Sequence, residues 1–298
     1  MNKACKQCGK PAFIFIKSYD FYKRMSDEEF IYYKCRDCQY IFLDPIPQDL
    51  SKYYPEEYYE LPKTLQELTK MAELSQQWKI DTILQFKLNG RLLEIGPAFG
   101  MFAFLAKRSG FEVTGIEMDH KCCEFLRGTI GISVVEDADT VNALAMQEPF
   151  DIIVMWQVFE HLSDPWSALA AIAERLKPGG ILILDMPNPD AFQFKILGRR
   201  WVHLDPPRHV SLIPSALLIQ RAAQHNLKPE FVTTCNDGAN GYNGFGWAVS
   251  FKNMFGENIL GSVAHLFGRV LGKLLIPVER TGRRGSTYTV VLKKGVSA

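Results

Sequence analysis

The chain has 298 residues, of which 47% are hydrophobic and 22% charged, and its formal net charge is +1 at pH 7. This length suits one large domain with additions, and the composition is that of a folded globular protein. A net charge so close to zero excludes an overall electrostatic attraction to nucleic acid or anionic lipid, although a local patch stays open.

The N-terminal residues and the cysteines indicate the compartment. MNKACKQCGK lacks the apolar core of a signal peptide. No uninterrupted apolar run reaches the ~18 residues that a membrane-spanning helix needs. Four of the seven cysteines form two CxxC pairs, which favour metal binding in a reducing compartment over disulfides. We therefore expect a cytoplasmic protein without a membrane-spanning helix.

Residues 1–45 contain both CxxC pairs, Cys5 with Cys8 and Cys35 with Cys38. Each CxxC turn directs two sulfurs toward one ion, and two such turns complete a tetrahedron. The pattern predicts a zinc ribbon whose Zn²⁺ is structural, because protein ligands fill all four positions. Free thiols and an iron site are the alternatives.

Residues 46–90 are predicted to form a linker and an N-terminal helix. The linker is rich in proline and tyrosine, and we expect its tyrosines to pack against another part of the protein. Apolar residues then recur at helical spacing from Thr64 to Lys87, and Asn89-Gly90 ends the helix.

Residues 91–298 begin with a regular alternation of strand and helix patterns. The predicted strands are RLLEIG, EVTGIE, ISVVE, FDIIVMW, GILILDMP, LKPEFVTTC and STYTVVLKK. The predicted helices are 99–109, one capped by Asp119 that runs to Arg127, 141–146, one opened by Asp164-Pro165 that ends at KPGG, and 215–226. This order is typical of an α/β fold in which helices cover both faces of a parallel sheet.

A long segment, residues 236–285, interrupts this alternation before the last strand. It contains an amphipathic helix with His265, Arg269 and Lys273 on one face. The apolar face consists of Val263, Leu266, Phe267, Val270, Leu271, Leu274 and Leu275. Packing on its own domain, a lid, a dimer surface and a membrane-surface contact through 255–276 all remain open.

The first strand leads into LLEIGPAFG, a strand, turn and helix start that is typical of nucleotide sites. Ala98 stands between Gly96 and Gly100, so the middle glycine that a pyrophosphate requires is missing. Glu94 would repel a phosphate but attract an ammonium group. Glu117 ends the next strand and can accept hydrogen bonds from ribose hydroxyls. The pocket is therefore predicted to hold a ribonucleoside with a cationic amino-acid tail, as in S-adenosylmethionine.

Four motifs in this order resemble those of the class I S-adenosylmethionine-dependent methyltransferases. They are LLEIGPAFG, GIEMD, EDADTV and the run from FDIIVMW to LDMPNP, and the resemblance covers about residues 65–294. It implies a Rossmann-like sheet of seven strands with the last one antiparallel. The cofactor contacts that it implies are Glu94, Gly96, Ala98, Gly100, Trp156 and Gln157 at the methionine end, Glu117 at the ribose, Met118 on the adenine face, and Asp137 and Ala138 at the adenine edge.

The ribbon, the segment FLDPIPQDLSKYYPEEYYE and this core together resemble a bacterial subgroup that modifies sugars, capsules or secondary metabolites. Certain sugar C-methyltransferases share the ribbon but carry a further C-terminal domain that has no counterpart in this sequence, which argues against C-methylation. His161, together with His203 and His209 in RRWVHLDPPRHVSLI, could act as general base or orient an acceptor hydroxyl. Arg208 could bind an acidic acceptor or form an internal ion pair.

A metal-dependent variant of this chemistry is an alternative. Small-RNA 2′-O-methyltransferases and ubiquinone-pathway O-methyltransferases carry E-x-x-E-H at the loop after the fourth strand and use a divalent ion. Here Gln157 replaces the first carboxylate, while Glu160 and His161 match the rest. Because losing an anionic ligand weakens a magnesium site, we favour catalysis without a metal.

The favoured function is methyl transfer to a small-molecule acceptor, with a hydroxyl of a sugar or secondary metabolite as the expected group. An RNA methyltransferase that uses the ribbon to bind RNA is the first alternative, and Lys3, Lys6, Lys10 and Arg36 would support it. Neighbouring aspartates dilute that charge, so nucleic acid is not the expected partner. A non-catalytic scaffold is the second alternative.

Overall fold

The computed structural model describes residues 3–54 and 58–296, whose strands form two sheets. The strands are β1 (Lys3–Ala4), β2 (Pro11–Ser18), β3 (Phe30–Cys35), β4 (Ile41–Leu43), β5 (Arg91–Ile95), β6 (Glu112–Glu117), β7 (Ser133–Glu136), β8 (Phe150–Trp156), β9 (Leu176–Pro187), β10 (Ser211–Leu212), β11 (Leu227–Thr233) and β12 (Thr287–Lys294). The α-helices are α1 (Leu65–Leu84), α2 (Met101–Arg108), α3 (His120–Phe125), α4 (Thr140–Ala145), α5 (Pro165–Arg175), α6 (Phe192–Leu197), α7 (Ser215–Ala223), α8 (Asp237–Phe255) and α9 (Ile259–Glu279).

The larger sheet has seven strands in the order β11-β12-β9-β8-β5-β6-β7. The strands from β9 to β7 pair in parallel, and β12 runs antiparallel to both β9 and β11. The predicted class I methyltransferase sheet is therefore confirmed. β8 is almost wholly apolar because helices cover both faces of the sheet. The order of the strands reverses at β5, which places a crevice at its carboxyl end.

Several helices are shorter than the sequence pattern predicts. α2 begins at Met101 rather than Phe99, because Gly100 takes a left-handed conformation as the residue that caps the helix. α3 ends at Phe125 and passes into a wide turn, Leu126–Ile130. α7 ends at Ala223. β9, by contrast, begins four residues before the predicted GILILDMP strand, at Leu176. These differences leave the order of the elements unchanged.

The segment 236–285 holds two helices, α8 and α9, of which the sequence predicted only the second. Small residues on one side of α9 are buried against α8. A Cβ atom on Gly268 would lie 2.6 Å from the backbone oxygen of Trp247, and one on Gly272 would lie 3.3 Å from the Trp247 ring. The absence of side chains at these positions therefore sets the close approach of the two helices.

One helix in the described part of the chain, α9, is long and apolar enough to cross a membrane, by length and composition. Its most apolar window has a mean hydropathy of 1.5, and 22% of that window is buried inside the protein. The sequence criterion for a membrane-spanning helix did not select α9. It required an uninterrupted apolar run, whereas Arg269 and Lys273 interrupt this one.

The smaller sheet is antiparallel, with the order β1-β2-β3-β4-β10. Its last strand comes from the far end of the sequence: Ser211 pairs with Phe42, and Leu212 pairs with Ile41. The cysteine-containing segment 1–45 therefore shares a sheet with the loop that follows β9. This sharing brings the N-terminal unit against the edge of the larger sheet where a ligand would bind.

Candidate functional site

The four predicted metal ligands lie together at one end of the smaller sheet. The Sγ atoms of Cys8 and Cys35 are 3.5 Å apart, those of Cys8 and Cys38 are 3.6 Å apart, and those of Cys5 and Cys38 are 3.7 Å apart. A tetrahedron with Zn–S bonds of about 2.3 Å has edges of about 3.8 Å. The four sulfurs therefore match the geometry of a single tetrahedral ion.

The glycine loop after β5 folds as a run of left-handed residues. Gly96, Ala98 and Gly100 have φ values of 72°, 52° and 83°. A Cβ atom on Gly96 would lie 2.6 Å from Val158, so a side chain there is excluded by space as well as by conformation.

Glu117 holds this loop in place. Its buried carboxylate accepts hydrogen bonds from the backbone N–H of Ala98 at 2.8 Å and from those of Met118 and Asp119 at 2.8 and 2.9 Å. Burial raises the pKa of the Glu117 carboxyl, and the backbone donors oppose that shift. The oxygen bound to Ala98 has one donor in these bonds and can accept another, such as a ribose hydroxyl.

Glu94 lies buried at the end of β5, and its Oε2 atom has no hydrogen-bond partner among the described residues. Burial raises the pKa of its carboxyl to about 8, which Lys79 opposes. The Lys79 ammonium lies 4.9 Å from the centre of the Trp156 ring, and burial lowers its pKa to about 8. An orphaned buried carboxyl of this kind fits a ligand that brings an ammonium group.

Asp185 is a site residue that the sequence reading missed. It is buried at the end of β9, accepts hydrogen bonds from the Gln157 amide and the Thr289 hydroxyl, and its pKa is raised to about 6 by burial. Gln157 has a φ of 57° and donates its own backbone N–H to the Asp185 carbonyl at 2.7 Å. Asp185 could have been predicted, because it is the one acidic residue in the otherwise apolar strand LILDMP.

The remaining predicted cofactor residues lie around the same crevice. Trp156 is buried between Trp78 and Phe102. Met118 is exposed directly after Glu117, and Ala138 is exposed after β7. The Asp137 backbone N–H donates to the Glu117 carbonyl at 3.1 Å, which puts the predicted adenine edge beside the predicted ribose site. Their contacts with a cofactor stay predictions.

Glu160, His161 and His209 form a buried cluster whose candidate ligand atoms all lie within 4.8 Å of one another. His209 Nδ1 is 2.9 Å from the His203 carbonyl, to which it donates, so Nε2 is left as an acceptor. That Nε2 atom lies 3.8 Å from Glu160 Oε1 and 3.9 Å from Asp205 Oδ2. Both Glu160 oxygens lack a hydrogen-bond partner among the described residues.

Burial controls the protonation of this cluster. It lowers the pKa of His161 to about 4 and that of His209 well below its usual value, with His161 adding to the effect on His209. It raises the pKa of the Glu160 carboxyl well above its usual range. At neutral pH the two imidazoles are therefore uncharged and able to accept a proton or bind a cation.

His203 and Arg208 have other partners. The His203 ring donates from Nε2 to the Tyr242 carbonyl at 3.1 Å, and burial lowers its pKa to about 4. His203 thus supports His209 through its backbone carbonyl, while its own ring is engaged elsewhere. The fully buried Arg208 guanidinium pairs with Asp20 at 2.5 Å and with Asp205 at 2.6 Å. It forms an internal ion pair between the ribbon and the loop after β9.

Aromatic residues from three parts of the chain surround the histidine cluster. The Tyr54 hydroxyl is 3.1 Å from His161 Nδ1, and the Tyr54 and Tyr58 rings lie 5.1 Å apart. Tyr22 of the N-terminal unit packs edge-on against Phe245 of α8 at 5.7 Å. Tyr53 is buried as well, so the linker tyrosines apart from the exposed Tyr59 pack against the protein as the sequence predicts.

The match to a known family decides what kind of protein this is. Residues 67–230 match the family model described as a methyltransferase domain. The chain belongs to this family. The fold agrees, since the methyltransferase resembles the crystal structure of a SAM-dependent methyltransferase from Archaeoglobus fulgidus with a TM-score of 0.51 at 20% identity, covering 75% of this chain and 94% of that one.

Curated relatives of this methyltransferase include two ubiquinone biosynthesis O-methyltransferases. The protein from Cereibacter sphaeroides is 34% identical over 118 residues, which are 38% of this chain and 48% of that protein. The protein from Bordetella bronchiseptica is 31% identical over 150 residues, or 47% of this chain and 62% of that protein. The chain thus spans about half the length of the curated relatives that it matches.

Proposed function

We propose that this methyltransferase transfers a methyl group from S-adenosylmethionine to a hydroxyl of a small molecule. The observation that carries the proposal is the buried His209 ring, which donates from Nδ1 to a backbone carbonyl and holds its free Nε2 atom 3.8 Å from Glu160 Oε1. An imidazole with an unprotonated Nε2 atom can accept a proton from a hydroxyl, although its lowered pKa makes it a weaker base than an exposed histidine. The O-methyltransferase names of the curated relatives support the same reaction class.

The residues around the cleft have different proposed roles. When bound, S-adenosylmethionine supplies an electrophilic methyl group on its sulfonium. Glu94 is proposed to bind the ammonium of the donor, and Glu117 its ribose hydroxyls. His209 Nε2 would accept the acceptor's proton, with the carboxyl oxygens of Glu160 and Asp205 lying 3.8 and 3.9 Å away. Positioning by the aromatic walls would supply the rest of the acceleration.

The aromatic surroundings favour a ring-shaped acceptor, such as a sugar or a cyclic secondary metabolite. Tyr54 and Tyr58 on one side and Phe245 on the other offer ring faces and edges. RNA is less well supported, since Lys3 and Lys6 of the ribbon both pair with Asp44. We further propose that the four cysteines bind one structural Zn²⁺, which the spacing of their sulfurs supports. We also propose that the protein is cytoplasmic.

A divalent cation held by Glu160, His161 and His209 is a second candidate for activating the hydroxyl. The two unpartnered Glu160 oxygens favour it, because a buried carboxylate requires a partner. Such an ion would lower the pKa of a bound hydroxyl. Gln157, at the position of the missing carboxylate, is instead hydrogen-bonded to Asp185.

Calorimetric titration with S-adenosylmethionine tests the donor claim. We expect binding by the wild type and a large loss of affinity in Glu117→Ala, with Glu112→Ala, at the exposed start of the same strand, as the matched control. Wild-type affinity in Glu117→Ala would remove the claim.

Transfer of a radiolabelled methyl group to panels of catechols, sugar nucleotides and RNA tests the acceptor claim. Product from a hydroxylated small molecule that persists in EDTA supports the metal-free reaction. Product that EDTA abolishes, and that Mg²⁺ or Zn²⁺ restores, supports the second candidate. Labelled RNA alone would overturn the small-molecule proposal.

A further inference from the structure

The outward face of α9 is apolar and uncovered. Its large side chains are each more than half exposed, and they are Ile259, Leu260, Val263, Leu266, Phe267, Val270 and Leu274. On the opposite side, the helix presents its small residues, Gly261, Ala264, Gly268 and Gly272, to α8. A helix that belonged to a soluble core would turn its large apolar side chains inward and expose its other face to solvent.

Both ends of α9 are fixed to the domain. At its start, a Cβ atom on Gly261 would overlap the Gly256 carbonyl at 1.8 Å, so the turn between the helices is closely packed. At its end, the fully buried Glu279 carboxylate accepts hydrogen bonds from Trp247 at 2.8 Å and from Gln193 at 2.9 Å. α9 therefore lies lengthwise along α8, and it cannot cross a bilayer without losing these contacts.

The exposed charges along α9 and the turn that follows it are all positive. Residues 258–286 contain one carboxylate, the buried Glu279. The cations of the same stretch are Arg269, Lys273, Arg280, Arg283 and Arg284, and none of them has an ion-pair partner within residues 3–54 and 58–296. Arg269 and Lys273 line a groove of about 390 Å³ between the two helices. This concentration stands out in a chain whose overall charge is +1.

We propose that the outward face of α9 docks in the plane of an anionic membrane surface. The apolar side chains would enter the boundary between headgroups and acyl chains, and the flanking cations would lie at the level of the lipid phosphates. A second copy of the chain fits this face less well, because a two-fold contact brings the same uncompensated cations of both copies together. The inference does not depend on the identity of the methyl acceptor.

Docking would bring the membrane close to the reaction site. α8 carries α9 on one side, and on the other it contributes Tyr242, whose carbonyl binds His203, and Phe245, which packs on Tyr22. Packed helices have axes about 8–10 Å apart. The acceptor wall therefore lies roughly one helix from the proposed membrane surface.

Flotation of the full chain with vesicles tests this proposal. We expect the protein to float with phosphatidylcholine–phosphatidylglycerol vesicles, less with phosphatidylcholine alone, and less as salt rises. Leu266→Glu should reduce the vesicle partition coefficient at least about tenfold. Arg269→Gln with Lys273→Gln should reduce it about 25-fold, since each cation near the surface contributes about fivefold.

The matched control is Leu74→Glu on α1, where a leucine more exposed than Leu266 lies outside the proposed face and binding should stay at the wild-type level. Unchanged affinity of Leu266→Glu for S-adenosylmethionine would show that the fold is intact and that the result is separate from the proposed function. Absence of flotation at low salt, equal flotation of Leu266→Glu, or a solution dimer that Leu266→Glu disperses without any vesicle binding would each overturn the proposal.

Discussion

His209 Nε2 lies 3.8 Å from Glu160 Oε1, and both side chains are buried next to the aromatic cleft. Since His209 Nδ1 is bound to a backbone carbonyl, Nε2 is the ring atom that can accept a proton. We expect His209→Asn to lower kcat by about 10²–10⁴ with little change in cofactor affinity. Steady-state kinetics and calorimetry check this, with His225→Asn just after α7 as control. An unchanged kcat would exclude His209 as the base.

The pH dependence of cofactor binding should reveal Glu94. Its pKa is raised to about 8 by burial, so binding an ammonium group at neutral pH must release the carboxyl proton. Affinity should therefore fall as pH drops below 8, by up to tenfold per unit. It should also fall above about 8, where the donor's own amino group loses its proton. Calorimetry across this range should show a peak, and Glu94→Gln should lose only the acidic limb.

Loss of one cysteine of the N-terminal cluster should cost both metal and stability. We expect one Zn²⁺ per chain in the wild type by elemental analysis and much less in Cys8→Ser. Because a structural zinc contributes directly to folding, Tm should fall by at least about 5 °C. Cys235→Ser, far from the cluster in sequence and bonded to the Arg280 carbonyl, is the matched control. Full zinc content in Cys8→Ser would contradict the assignment.

Arg208→Met should be strongly destabilising. It leaves the Asp20 and Asp205 carboxylates buried without their cation, at a cost of about 3–5 kcal/mol in the free energy of unfolding. Urea unfolding measures this cost. Adding Asp20→Asn and Asp205→Asn to the variant should recover part of the stability, because the buried charges are then removed together. No recovery would mean that packing, not charge, sets the cost.

Alanine substitutions at two glycines with similar φ values distinguish the cost of backbone strain from the cost of steric overlap. Gly100 has a φ of 83° and Gly110 a φ of 91°, so alanine strains both by about 1–2 kcal/mol. A Cβ at Gly100 would also lie 2.4 Å from Leu126 and 2.6 Å from Ile130, whereas one at Gly110 meets no atom within 4 Å. Gly100→Ala should therefore unfold in less urea than Gly110→Ala. Equal losses would show that the Leu126 and Ile130 side chains move aside.

Local signals account for the parts of the structure that the sequence could predict. The apolar strand FDIIVMW, the helix start at Asp164-Pro165 and the paired CxxC turns each depend on residues close together in the chain. The sequence did not predict α8, because this helix is rich in glycine and lacks a clear apolar face. Packing against α9 stabilises it instead.

The site depended more on distant contacts. Glu117 could be predicted because a strand end positions it, but its bond to the Ala98 amide could not. From the sequence, Lys79 is expected to be an exposed residue of α1. In the structure, α1 packs so that the Lys79 ammonium lies beside Trp156. His209 was a candidate through the resemblance of RRWVHLDPPRHVSLI to the subgroup's segment, but its proximity to Glu160 requires the chain to return across 49 residues. The partners of Arg208 lie as far apart in the chain as Asp20 and Asp205.

β10 has a consequence for how this protein can be recombined. Because the ribbon's sheet is completed by Ser211 and Leu212, and Arg208 just before them neutralises Asp20, the ribbon is not a transferable module. A chimera that joins this ribbon to another methyltransferase domain must carry the loop after β9 with it. Exchange of N-terminal segments between relatives therefore succeeds only where that distant loop is exchanged as well.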